Sequence, residues 1–225
     1  MCAARCARAE PSIADRKPFG FSHGARAQPS ARREFAHGVC YAHAWRDGEK
    51  RGYGTAVGRA TLERLRLLGV DAISLTPFGY EPALGQPVIL ANHYRGGETD
   101  EAVLAAATSA HRLGMRVMLK PHIWVRGGQW IGEQQFASEA DWQRWFQSYR
   151  VYSLQYPALA ESAHIEWLAI GTELQHASAR DRAGWHKLIG ELRAAYHGRL
   201  TYAANWNEEG VVFWDLLDAV GVQEY

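Results

Sequence analysis

The chain has 225 residues, 47% of them hydrophobic and 22% charged, with a net charge of +1 at neutral pH. That is enough apolar material for one sizeable core, and the charge balance gives no global sign of a nucleic-acid or acidic partner. No apolar run reaches the length of a membrane span, so neither nucleic acid nor membrane is an expected partner.

The near-neutral total hides an asymmetry. Residues 1–34 carry seven Lys or Arg and three acids, a net of +4, and leave the remainder mildly acidic. This leader is rich in Ala, Arg, Ser and Pro and lacks the apolar stretch of a secretory signal. It is read as a disordered basic segment. A targeting peptide, a linker and a mis-assigned start remain open, and no compartment is assigned. Cys2, Cys6 and Cys40 form neither a disulfide framework nor a zinc spacing. Cys40 lies in an apolar run and reads as a small buried hydrophobe.

From residue 35 onward, strand and helix patterns alternate. Phe35–Ala42 reads as the first strand, and Tyr53–Leu68 is a helix with apolar residues at helical spacing, stopped by Gly69. Val70–Leu75 is the second strand, closed by Thr76-Pro77, and a Gly- and Pro-rich loop is expected over Phe78–Gly97. Glu98–Leu113 is a helix followed by Gly114, and Met115–Lys120 is the third strand. Ser138 opens a helix with Asp141 three residues on, and Trp142, Trp145, Phe146 and Tyr149 supply its buried stripe. Ile165–Ile170 is the fourth strand, Trp185–Tyr196 a helix, Leu200–Ala204 the fifth strand, Val211–Leu217 a short helix and Ala219–Val222 the sixth strand.

Such alternation implies a parallel sheet with right-handed crossovers. The Gly-rich turn of dinucleotide-binding sheets is missing after the first strand. Polar and aromatic residues recur instead at the C-terminal ends of the strands, where barrels of this type do their chemistry. The fold expected is therefore α/β, a (β/α)8 TIM barrel truncated after its sixth strand and occupying residues 35–225. The 225-residue form is accordingly expected to be a fragment of a longer protein.

The run Ile165–Ile170 ends in Gly171-Thr172-Glu173 and delivers a carboxylate at a strand tip. By the two-residue strand period, Trp167, Ala169, Gly171 and Glu173 share a face. A Glu at such a tip, among aromatic residues, suits the proton donor that cleavage of a glycosidic bond needs. The plainer reading is a surface acid or a helix cap. Lys120 and His122 flank Pro121 and could bind sugar hydroxyls or hold Glu173. Asn205 offers a donor and an acceptor, and Trp206 a flat apolar face. Tyr41, His43 and Trp45 end the first strand. Trp124 and Trp130 lie after the third, and core packing does not readily explain Trp130. Asn92 and His93 sit in a long loop that could reach the cleft. Glu208 and Glu209 read as a solvated helix start, and Glu224 as a low-ranking second carboxylate. The ten histidines show no ligand spacing, so no metal and no cofactor is expected.

These residues carry a specific resemblance. Thr-Pro-Phe-Gly-Tyr at 76–80, Leu-Lys-Pro-His-Ile-Trp at 119–124, Ile-Gly-Thr-Glu-Leu at 170–174 and Leu-Thr-Tyr-Ala-Ala-Asn-Trp at 200–206 resemble glycoside hydrolase family 113. Phe213-Trp214-Asp215 and the run 217–222 extend the likeness to about Phe35–Tyr225. The resemblance implies a barrel of the retaining-glycosidase clan and β-1,4-mannan or a related β-glycan as substrate. It implies Glu173 as acid/base, and Lys120, His122, Asn205 and Trp206 lining the sugar subsites. Tyr225 would stand beside the nucleophile, a Glu at the end of a seventh strand expected beyond the chain end. Thr172 stands where the clan often has Asn, so the usual contact to the sugar 2-hydroxyl is not carried over. The alternatives are a non-catalytic glycan-binding or vestigial barrel and a purely structural one.

Overall fold

The computed structural model describes residues 36–43, 51–90 and 98–223. The leader, Trp45, Asn92, His93, Glu224 and Tyr225 lie outside the described residues. Eight strands are described: β1 (Gly38–Tyr41), β2 (Ala72–Leu75), β3 (Phe78–Glu81), β4 (Arg116–Leu119), β5 (His122–Val125), β6 (Trp167–Thr172), β7 (Arg199–Asn205) and β8 (Gly221–Gln223). Six form one sheet in the order β1-β2-β4-β6-β7-β8, and every pairing is parallel. The helices are α1 (Ala56–Leu67), α2 (Asp100–Arg112), α3 (Glu139–Ser153), α4 (Tyr156–Ser162), α5 (Gln175–Ser178) and α6 (Arg182–Ala195). The sheet is the curled part-barrel that the alternating pattern predicts.

Local chemistry sets the helix ends. Thr55, Thr99, Ser138 and Asp181 each accept a hydrogen bond from a first-turn amide of α1, α2, α3 and α6, which satisfies donors that a helix start otherwise leaves unpaired. Gly69 and Gly114, at φ of 87° and 68°, take the left-handed turns that end α1 and α2.

The two faces of the sheet differ. Ile73, Leu75, Val117 and Leu119 are fully buried in the main core, whereas their neighbours Ala72, Ser74, Arg116 and Met118 are half-buried. The half-buried set lines the inside of the curl, an open apolar cavity of about 410 Å³ shared with Cys40, Trp167, Thr201 and Gln223. Parallel sheets normally have both faces covered. Here the inner face is open and, among the described residues, nothing pairs the outer edges of β1 and β8. Cys40 is accordingly exposed, not buried as its apolar run suggests, because it faces this cavity.

Several expectations are corrected. The loop expected over Phe78–Gly97 begins with β3, and the chain after Pro121 continues as β5. β2 pairs with β4 at Ala72↔Arg116, and β3 with β5 at Phe78↔His122, the same 44-residue offset. Pro77 and Pro121 therefore lie abreast and split one ladder into two. Proline gives up one donor but keeps its acceptor, so His122 N still donates to Pro77 O at 3.0 Å and the pairing resumes. The helix expected over Val211–Leu217 is only a 3-10 turn at Trp214–Leu216. The short helices α4 and α5 escape the sequence pattern because neither reaches three turns.

The β3–β5 ribbon rests on α3. Its buried face is Gly79, Glu81, Ile123 and Val125. Beneath it lie Trp145, Tyr149 and Tyr152, with the rings of Trp145 and Tyr149 stacked at 5.2 Å. The Tyr152 hydroxyl latches both strands, accepting from Gly79 N and donating to His122 O, each at 3.1 Å. A side chain at Gly79 would meet the Tyr152 ring at 2.5 Å, so glycine is what lets the ribbon seat.

Candidate active site

Glu173 stands just past the tip of β6, buried at 7% exposure, with a left-handed backbone at φ 54°. The face-sharing expected from Trp167 to Glu173 does not hold across that span. Ala169 pairs with Thr201 and Thr172 with Ala203, so β6 carries one extra residue relative to β7. Such a bulge breaks the two-residue period and re-aims the side chains beyond it. The bulge and the left-handed residue together set the direction of the carboxyl. Glu173 N donates to Ala203 O at 2.9 Å, which fixes the turn to β7.

Both carboxyl oxygens of Glu173 are held. The indole N–H of Trp130 donates to Oε2 at 2.6 Å, and the amide of Gln223 on β8 donates to Oε1 at 2.5 Å. Gln223 is in turn an acceptor, taking a hydrogen bond on Oε1 from Lys120 Nζ at 2.7 Å. The chemistry orients this amide. An ammonium can only donate and a carboxylate only accept, so the amide must turn its oxygen to Lys120 and its nitrogen to Glu173. Lys120 thus reaches Glu173 through Gln223.

His122 lies in the same cluster. Burial pushes its imidazole down to about 4; the Glu173 carboxylate opposes that shift and the Lys120 ammonium adds to it. The ring is therefore neutral above that pH and offers one donor and one acceptor. It stacks on Phe78 at 5.7 Å. Thr172 is buried, and its hydroxyl donates to Pro121 O at 3.0 Å, which ties β6 to the crease between β4 and β5.

The other candidates are spread around the rim. Asn205 ends β7, where its side-chain oxygen accepts from Trp206 N at 2.9 Å, and Trp206 is 69% exposed. Trp124 is 51% exposed on β5. Tyr41 is three strands from β6 in the sheet order, and its hydroxyl donates to Gly58 O at 3.2 Å. Near it His43 and Glu98 pair at 2.6 Å.

Glu208 is not the solvated helix start that its sequence suggests. It is buried, accepting from Tyr202 Oη at 2.6 Å, Ser178 Oγ at 3.2 Å and Asn205 N at 3.0 Å. Burial raises its carboxyl above the usual range against these three donors, and the nearby Glu173 charge adds to the rise. The Tyr202 hydroxyl also accepts from Leu174 N at 2.6 Å, so Glu208 braces the turn after Glu173.

Sequence reasoning missed Gln223 altogether. It is an ordinary polar residue near the end of the described chain, and only the parallel pairing of β7 with β8 brings it to Glu173. Trp130 had a signal, a tryptophan in a loop without an amphipathic pattern. Among the described residues no group of His, Cys, Asp and Glu could hold a metal ion, and no helix is long and apolar enough to cross a membrane.

The chain is similar to several solved structures. One is the glycoside hydrolase family 113 β-mannanase AaManA from Alicyclobacillus acidocaldarius in complex with ManMIm, at 29% identity and a TM-score of 0.74, covering 84% of this chain and 60% of that one. A second, a family 113 β-1,4-mannanase solved as a complex, shares 26% identity with a TM-score of 0.72, covering 85% of this chain and 63% of that one. A β-glucuronidase from Ruminococcus gnavus, at 12% identity and a TM-score of 0.55, covers 84% of this chain and 28% of that one and shares the fold alone. This chain thus spans about 60% of the length of the mannanases it matches. Comparison with curated protein sequences finds no match. The family model for Glycoside Hydrolase Family 113 matches residues 41–225, so the chain belongs to that family.

Proposed function

We propose that this chain carries the acid/base part of a retaining hydrolase of β-1,4-mannan or a related β-glycan. The observation that carries the reading is Glu173, a buried carboxyl at the C-terminal tip of a barrel strand with an N–H donor fixed on each oxygen. In this reaction Glu173 gives its proton to the leaving glycosidic oxygen. A second carboxylate attacks the anomeric carbon, and Glu173 then takes a proton from the water that releases the sugar. Trp130 and Gln223 keep the carboxyl from rotating between the two steps. Lys120, His122, Asn205, Trp124, Trp206, Tyr41 and Tyr225 are the proposed sugar-binding residues.

Double displacement needs its second carboxyl about 5–5.5 Å from the first. Among the described residues, Glu81 is buried beneath the ribbon, Glu98 pairs with His43 near β1, and Glu208 is buried behind the turn that follows Glu173, which it braces through Tyr202. The attacking Glu is therefore proposed to come from a strand beyond β8. The same observation favours a second reading, a barrel that binds glycan without cleaving it.

The test starts with the intact mass of the protein from its native source, followed by assays of that protein and its Glu173→Gln form on β-1,4-mannohexaose. The enzyme reading expects a mass well above 25.2 kDa, cleavage with retained anomeric configuration, and a loss of about 10²–10⁴-fold in turnover for Glu173→Gln with binding kept. A mass near 25.2 kDa together with binding but no turnover supports the non-catalytic reading. Inverted product, or unchanged turnover in Glu173→Gln, overturns the role given to Glu173.

A further inference from the structure

The ribbon beyond the two prolines has two unlike faces. Along β3 and β5 the residues alternate strictly, and Gly79, Glu81, Ile123 and Val125 are buried. The open face is Phe78, Tyr80, His122 and Trp124, in which every side chain is a ring. Register sets Phe78 beside His122 and Tyr80 beside Trp124, so the four rings form two adjoining rows. Phe78 stacks on His122 at 5.7 Å and meets Trp124 edge-on at 6.2 Å.

The usual explanation of strand aromatics is core packing, and here the core lies on the opposite face. Trp124 remains 51% exposed, and leaving an indole in water forgoes the burial that normally favours it. The support beneath is stiff. Tyr152 latches both strands, Arg126 N donates to Glu81 O at 2.9 Å, and Tyr80 exchanges backbone hydrogen bonds with Leu90 at 2.9 and 2.8 Å. These rings, half-buried apart from the exposed Trp124, are rigidly supported and so pre-organised for an apolar ligand face, because little side-chain freedom remains to be lost on binding. One end of it, His122, adjoins Glu173.

We propose that the open face of the β3–β5 ribbon is a stacking platform for consecutive pyranose rings of a β-linked glycan, leading away from Glu173 across Phe78, Tyr80, His122 and Trp124. The pyranose presents C–H groups on its faces and hydroxyls around its edge. The rings meet the C–H faces, and the Tyr80 hydroxyl and the neutral His122 ring meet the hydroxyls. The platform extends two rows beyond the strand tip, so a glycan must be longer than a disaccharide to cover both the site and the ribbon. The inference rests on the glycoside reading but does not need turnover, and binding alone tests it.

The experiment is calorimetric titration of the 225-residue chain and its Trp124→Ala, Trp124→Phe and Phe78→Ala forms with β-1,4-manno-oligosaccharides of two to six sugars. Cello-oligosaccharides are run in parallel, and thermal melting reports folding. The expected result is affinity that rises with chain length in the parent. Trp124→Ala should lose about tenfold on the hexasaccharide and little on the disaccharide, Trp124→Phe should recover part of the loss, and melting should stay unchanged for the exposed Trp124 variants. Equal hexasaccharide binding by the parent and both alanine variants overturns the platform and leaves the proposed function standing. Platform-dependent binding of cello- but not manno-oligosaccharides keeps the platform and overturns the choice of mannan. No binding of either series by the folded parent overturns the platform.

Discussion

Two indole–carboxyl pairs among the described residues differ in what surrounds them. Trp145 donates to Glu81 beneath the ribbon, where Glu81 has no exposed surface and its second oxygen has no hydrogen-bond partner among the described residues. Trp130 donates to Glu173 at the mouth of the barrel, where the second oxygen is taken by Gln223. Burial with a single donor pushes the Glu81 carboxyl up to about 7, against the pull of the Trp145 hydrogen bond. A buried carboxyl with one oxygen left over stores a cost, whereas one with both oxygens engaged is oriented. The first belongs to the packing of the ribbon on α3, the second to the proposed chemistry.

The largest expected effect comes from breaking the inner pair. Trp145→Phe removes the donor to a fully buried carboxyl and leaves a void beside Tyr149. It should cost roughly 2–4 kcal/mol in urea unfolding. A loss below about 0.5 kcal/mol, the scatter of an ordinary surface substitution, would show that the pair does not support the ribbon.

Glu81 itself gives a pH signature. Its proton is held more tightly in the folded chain, so its contribution to stability is complete below its ordinary value of 4.5 and is lost as pH rises through about 7. That amounts to about 3 kcal/mol between roughly pH 4.5 and 8. Glu81→Gln keeps an acceptor for Trp145 and should remove this fall, making the variant more stable than the parent at about pH 8. Parallel stability–pH curves for the two proteins would place the Glu81 proton elsewhere.

Gly79→Ala tests the seat of the ribbon directly. The added methyl meets the Tyr152 ring at 2.5 Å, so a loss of about 1–3 kcal/mol is expected. Hydrogen exchange should also quicken at His122 and Arg126, whose amides span the ribbon. The smallest stability effect is expected at the outer pair. Trp130→Phe keeps most of a half-buried ring and should cost about 1 kcal/mol or less. The same variant frees Glu173 Oε2, so oligosaccharide binding or turnover should change more than melting does. The reverse pattern would make Trp130 a packing residue.

Much of the architecture is legible without coordinates. Six of the eight strands and the four longer helices follow from periodicity, caps and glycine stops, because each of those signals is local. The strand-end position of Glu173 is legible for the same reason, since an apolar run ending in Gly-Thr-Glu announces a tip. The ribbon is not. Pro77 and Pro121 read as strand stops, and nothing local shows that they lie abreast so that the ladder can resume.

Short-range spacing and recognisable motifs are therefore enough for the repeated βα pattern, the family likeness and the residue proposed as acid/base. Which groups hold that residue is settled by packing alone. Gln223 lies 50 residues from Glu173 and Trp130 lies 43 residues from it, and a hydrogen bond across such a gap depends on strand order and register. The same holds for the bulge in β6, the buried place of Glu208 and the all-ring face of the ribbon. Each is a relation between segments, and a chain read residue by residue carries no sign of it until the segments are packed.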